Sequence, residues 1–174
     1  MRLFIALKPS QEFRNALSDL QAHLLKAGVS ARYLDPVNFH LTLAFIGEWP
    51  ENVSWVLPEV QQPFSLILSD LGFFPEAKVI WAGVKASDEL KQLAQQVRDN
   101  LKEADIPFDQ KPFVPHITLG RKPIFPADFI FSKIVIPPAT MTVKKVFLYK
   151  SERGENGMLY SVIGNSTQGK ETVS

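Results

Sequence analysis

Cysteine is absent from this chain of 174 residues. Its absence excludes disulfides, thiolate metal sites and a cysteine nucleophile, and is compatible with a reducing compartment. A surplus of one charge is missing too. With 19 Lys+Arg against 18 Asp+Glu the formal net charge is +1, so no global field exists of the kind that holds long nucleic acid non-specifically. A nucleic-acid partner is then expected to be gripped locally, at an end. Long apolar runs are also lacking. The N-terminal stretch from Leu3 to Leu7, closed by Lys8-Pro9, is too short for a signal-peptide core or a membrane span. A cytoplasmic protein with no membrane partner is expected. Gly-rich phosphate loops, dinucleotide fingerprints and Gly-x-Ser-x-Gly elbows do not occur.

Histidine is scarce, with only His23, His40 and His116, yet two of the three sit in copies of one pattern. His40-Leu41-Thr42-Leu43 and His116-Ile117-Thr118-Leu119 each place His and Thr two residues apart in an apolar run that reads as a β-strand. Strand residues i and i+2 share a face, so each His stands beside its own Thr. In the first copy Phe39, Leu41, Leu43 and Phe45 are expected to make the buried face. In the second, Ile117 and Leu119 face inward. One His-x-Thr in a half-buried strand is commonly just a polar pair. The chain has six threonines, and two of its histidines are followed in step by Thr and Leu, which makes coincidence the weaker reading.

The length suits one compact domain, of two lobes at most. Residues 2–7 suggest a strand. Ser10 then offers an N-cap to a helix carrying Phe13, Leu17, Leu20, Leu24 and Leu25 until Gly28. His23 lies on that helix without a partner motif and is expected to be structural or at the surface. The first His strand runs over 39–46, a short helix is expected within 51–62, and strands over 64–71 and 78–85 flank a bend at Gly72 to Pro75. Ser87 caps a second amphipathic helix with Leu90, Leu93, Ala94, Val97 and Leu101, and the second His strand follows. Further strands are expected near 129–136, 141–150 and 158–163. The order strand, helix, His strand thus occurs twice. That predicts an α+β fold, a pseudo-symmetric duplication of antiparallel sheets with outer helices, whose central cleft brings the two motifs face to face. Residues 1–164 form that single domain in this reading, and 165–174 a polar, frayed tail.

Opening a cyclic phosphate with water requires one group to take a proton from the water and another, across the phosphorus, to give one to the leaving oxygen. Imidazole suits both tasks at neutral pH. Threonine hydroxyls can donate to the non-bridging oxygens as charge develops. A zinc site would need three or four ligands, here two histidines completed by unidentified carboxylates. No metal or other cofactor is expected.

The two tetrads resemble the signature of the two-histidine phosphoesterases. The flanks 2–7, 38–47, 79–84, 113–121 and 148–151 are similar to landmarks of the RNA 2′,3′-cyclic phosphodiesterase branch, formerly called 2′-5′ RNA ligases, in order over about residues 2–163. The resemblance implies the two-lobed fold and metal-independent hydrolysis of terminal 2′,3′-cyclic phosphates to 2′-phosphates, on RNA ends or small cyclic nucleotides. It implies His40 as proton donor, His116 as proton acceptor, and Thr42 and Thr118 on the phosphate. Sequence cannot orient the substrate, so the two histidine roles could be exchanged. Arg121 matches a basic residue that would hold the nucleotide, the alternative being a solvated strand-end arginine. Strict alternation turns Arg121 away from Thr118, so its role requires a twist or bulge near Gly120, itself a departure from the family's usual Ala or Leu. Phe4 is a candidate to stack on a base, with a place in the core as its alternative. Two further readings are a 2′-5′ phosphodiesterase or RNA ligase, and a nucleotide or RNA-end binding module. A monomer is the default expectation.

Overall fold

Two serines set the helices. The Ser10 hydroxyl accepts the Phe13 N–H at 3.2 Å and the Ser87 hydroxyl accepts the Leu90 N–H at 3.1 Å, each satisfying one of the donors that a helix start leaves orphaned. In the computed structural model, which describes residues 1–167, the elements are β1 (Arg2–Leu7), α1 (Gln11–Lys26), β2 (Ser30–Tyr33), β3 (Leu41–Glu48), β4 (Phe64–Phe74), β5 (Val79–Val84), α2 (Asp88–Glu103), β6 (His116–Ile124), β7 (Thr140–Val143), β8 (Phe147–Gly154) and β9 (Gly157–Asn165). Phe13, Leu17, Leu20 and Leu24 of α1 are fully buried, each contributing about 1.5–3 kcal/mol relative to exposure.

The strands form one antiparallel sheet in the order β7-β4-β5-β6-β3-β1-β8-β9, with β2 paired to β6. The order is the same read from either end if β6 answers β3, β5 answers β1, β4 answers β8 and β7 answers β9. This is the expected α+β duplication in two lobes. The lobes meet at one registered pair, Leu41 opposite Ile117. Beyond it β2 takes the edge of β6. The helices cross between lobes: α1, which follows β1, reaches β7, and α2, which follows β5, reaches β3. One core runs through both lobes and includes the buried faces of both helices.

Several expectations change. Residues 129–136 make no strand, because Phe125, Phe129 and Phe131 pack their rings on one another, with centroids 5.0–5.5 Å apart, around a 3₁₀ turn at Phe131–Lys133. The span 51–62 holds only a 3₁₀ turn, Ser54–Val56, hemmed in by Pro50 and Pro58. The run 141–150 is divided between β7 and β8. The polar tail begins later than 165: Asn165 ends β9, and Ser166 is buried, with its N–H donating to the Val146 carbonyl and its hydroxyl accepting the Val146 N–H. The rest of that expected tail, 168–174, lies outside the described residues.

Candidate active site

Each tetrad strand carries an extra residue just after its threonine, and that residue decides what faces the cleft. In the β1–β3 ladder Ala6 pairs with Thr42 and Ile5 with Ala44, so Leu43 has no opposite number. In the β5–β6 ladder Trp81 pairs with Thr118 and Ile80 with Gly120, so Leu119 has none. A bulge of one residue returns the third residue after the threonine to the threonine's own face. Arg121 therefore shares a face with Thr118, and the bulge that its proposed role requires is present beside Gly120. By the same shift Phe45 leaves the buried face expected for it and joins the cleft, where the Arg2 guanidinium lies 4.9 Å from its ring centre.

Both bulges are braced from the opposite lobe. Gln21 of α1 donates from Nε2 to the Leu119 and Leu34 carbonyls, both at 2.9 Å. Arg98 of α2 donates from Nε to the Leu43 carbonyl at 3.3 Å and from an Nη to the Lys111 carbonyl at 2.8 Å. These two residues were missed at the sequence level. The signal was present: Gln21 sits four after Leu17 and three before Leu24, and Arg98 four after Ala94 and three before Leu101, so each interrupts an otherwise apolar helix stripe.

The cleft, of about 1240 Å³, is lined by His40, Thr42, His116, Thr118 and Arg121 together. The histidines are held by one device used twice. His40 Nδ1 lies 2.7 Å from the Asn38 carbonyl, and His116 Nδ1 lies 2.6 Å from the Val114 carbonyl. A carbonyl oxygen only accepts, so each Nδ1 carries hydrogen and Nε2 is left for the cleft. Asn38, also unforeseen, ties this loop to β9: its Nδ2 donates to the Met158 carbonyl at 3.0 Å and its Oδ1 accepts the Tyr160 N–H at 3.4 Å.

Aromatic rings wall both imidazoles. His40 stands 4.6 Å from Phe4 and 5.0 Å from Tyr160, and His116 stands 5.0 Å from Phe74. Burial lowers the His40 pKa to about 4, aided by the charges of His116 and Arg121 and opposed by the Asn38 carbonyl. Burial also lowers that of His116, again aided by Arg121 and opposed by the Val114 carbonyl. Phe4 lines the cleft but is 3% exposed, stacked on Tyr149 at 5.0 Å with His40 against it, so it backs His40 in the cleft wall and leaves little ring surface for a base. His23 is remote from the cleft, with Nδ1 2.7 Å from the Val135 carbonyl. Among the described residues no three His, Cys, Asp or Glu side chains gather as a metal site, and no helix is long and apolar enough to cross a membrane.

Known proteins share this architecture. The family model of the 2′-5′ RNA ligase superfamily matches residues 37–155. The RNA 2′,3′-cyclic phosphodiesterase of Thermotoga maritima is 31% identical over 94% of this chain and 93% of its own length, and that of Archaeoglobus fulgidus is 36% identical over 70% and 72%. Among solved structures, TT0787 of Thermus thermophilus superposes with a TM-score of 0.76 at 31% identity, covering 95% of this chain and 96% of that one. Escherichia coli LigT complexed with 3′-AMP also gives 0.76, at 27% identity over 94% and 95%. With both tetrads facing one cleft, the chain belongs to the 2′-5′ RNA ligase superfamily, as a two-histidine phosphoesterase that hydrolyses phosphodiester bonds.

Proposed function

We propose that the protein is an RNA 2′,3′-cyclic phosphodiesterase that opens terminal 2′,3′-cyclic phosphates to 2′-phosphates. The observation that carries this reading is the paired tautomer control: two histidines from two lobes, each with Nδ1–H on a carbonyl two residues back, turn Nε2 into one cleft beside a threonine. His116 Nε2 takes a proton from water as the oxygen attacks phosphorus. His40 Nε2–H gives a proton to O3′ as the P–O3′ bond breaks, and the phosphate stays on O2′. Thr42 and Thr118 donate to the non-bridging oxygens, and Arg121 holds the nucleotide. A binding module would have no use for two fixed tautomers.

The reaction needs no divalent metal in this reading, because hydroxyls and a guanidinium on the cleft wall supply the charge stabilisation. Both histidines come from one chain, which supports a monomer, and one sheet and one core through both lobes support a single domain. RNA ends as substrate and the lack of cysteine support a cytoplasmic location. The same step with a 5′-hydroxyl in place of water would make a 2′-5′ linkage, which accommodates the family's ligase description as a side reaction.

The test is to incubate an RNA ending in a 2′,3′-cyclic phosphate with the protein in EDTA and map the phosphate. A 2′-phosphate is expected. A 3′-phosphate product would exchange which oxygen leaves, and activity restored only by added zinc or manganese would overturn the mechanism.

A further inference from the structure

We infer that a second, smaller cavity beside the cleft binds the internucleotide phosphate preceding the cyclic end, so that the RNA strand leaves the active site past Arg32. The inference rests on the function proposed above and adds the path of the polymer to it. The cavity, of about 500 Å³, is continuous with the main cleft, since Arg121, Arg153, Met158 and Tyr160 line both. Arg32 lines the smaller one alone.

The charges are arranged against the fold's own interest. Arg32 on β2 is the direct cross-strand partner of Arg121 on β6, and like charges placed opposite one another destabilise a ladder. Among the described residues none of Arg32, Arg121 and Arg153 has a carboxylate within 4.0 Å, the ion pairs being those of the N-terminus and Lys150. Asp35, the one acidic residue lining this cavity, is engaged in accepting the Val37 N–H at 3.0 Å. Elsewhere on the main cleft wall Glu48 lies 3.4 Å from the N-terminal ammonium and Glu152 lies 3.5 Å from Lys150, beside Arg2 and Lys111. In the smaller cavity three arginines face one aspartate, which makes it a cationic exit for an anionic chain leaving the site. Guanidinium forks match a phosphodiester. A mononucleotide ends before reaching Arg32, whereas an oligonucleotide carries its next phosphate there.

The experiment compares 2′,3′-cyclic AMP with a short oligoadenylate ending in the same group, using the wild type, Arg32→Ala and Arg32→Glu. On the oligonucleotide kcat/KM is expected to fall by roughly tenfold in Arg32→Ala, as for loss of a charge-assisted contact, and further in Arg32→Glu. On the cyclic mononucleotide it should stay unchanged. Salt should weaken the wild type on the oligonucleotide more than Arg32→Ala. Equal effects on both substrates, or none on either, would overturn the inference and leave the proposed function standing. A wild type that opens neither substrate would remove both.

Discussion

At His40 and His116 the chemistry is prepared by the backbone. The carbonyls of Asn38 and Val114 fix which nitrogen holds hydrogen, while the surrounding rings make the charged imidazolium costly. The proposed productive form has His40 protonated and His116 neutral. In the free protein a pKa near 4 makes protonated His40 rare at neutral pH, and His116 also titrates below its ordinary value. Because kcat/KM reports the free enzyme, both limbs of its pH profile should lie below about 6.5, with activity rising as pH climbs through the lower limb and falling as it climbs through the upper one. A bound phosphodiester anion favours imidazolium, so the kcat profile should lie at higher pH. Profiles that coincide above pH 7 would refute this assignment. His40→Ala and His116→Ala should each lower kcat by about 10²–10⁴, and near-normal turnover in either would take that ring out of the chemistry. The histidines and threonines were legible because i and i+2 spacing survives any strand twist. Phe4 was not, since alternation says only which face a ring takes, and here Tyr149, His40 and Tyr160 crowd it until 3% of it is exposed.

At the scale of elements, the bulges at Leu43 and Leu119 are what make the strands useful. Without the second, Arg121 would point into the core side of β6. Gln21 and Arg98 satisfy the carbonyls at these bulges from helices that belong to the other lobe. Gln21→Leu should cost about 0.5–1.5 kcal/mol of stability, the worth of a lost hydrogen bond, since the Leu119 carbonyl keeps the Leu34 N–H, and Arg98→Leu about 1–3 kcal/mol, as for a carbonyl that loses a charged donor. Each should also lower kcat more than it raises KM, because the neighbouring threonine moves. A stability loss with unchanged kcat would leave them a purely structural role, and denaturant titration beside steady-state kinetics separates the two. Helix starts were readable from Ser10 and Ser87 because capping is local chemistry. Strand β2 was not readable: its four residues, Ser30–Tyr33, alternate over too short a span to stand out, and they depend on the edge of β6. The apolar run at 129–136 misled for the opposite reason, since its aromatic rings satisfy one another without a ladder.

For the whole molecule, the duplication was visible in the repeated order of elements, but the way its halves are laced together was not, because pairing across more than a hundred residues leaves no local trace. Strand β1 lies between β3 and β8, and α1 reaches β7. The first strand of this sheet in chain order is therefore completed by one of its last. On the ribosome, Leu3, Ile5 and the apolar side of α1 must wait uncovered until residues 140–154 have emerged, a long-range topology of the kind that folds slowly and exposes sticky surface meanwhile. Nascent chains halted before Phe147 should be cut by protease within α1, whereas released full-length chains resist. Resistance in the halted chains would show that the N-terminal lobe closes alone. Such a protein asks its cell for a chaperone's shelter during translation, and its vulnerable period ends only with the arrival of β8.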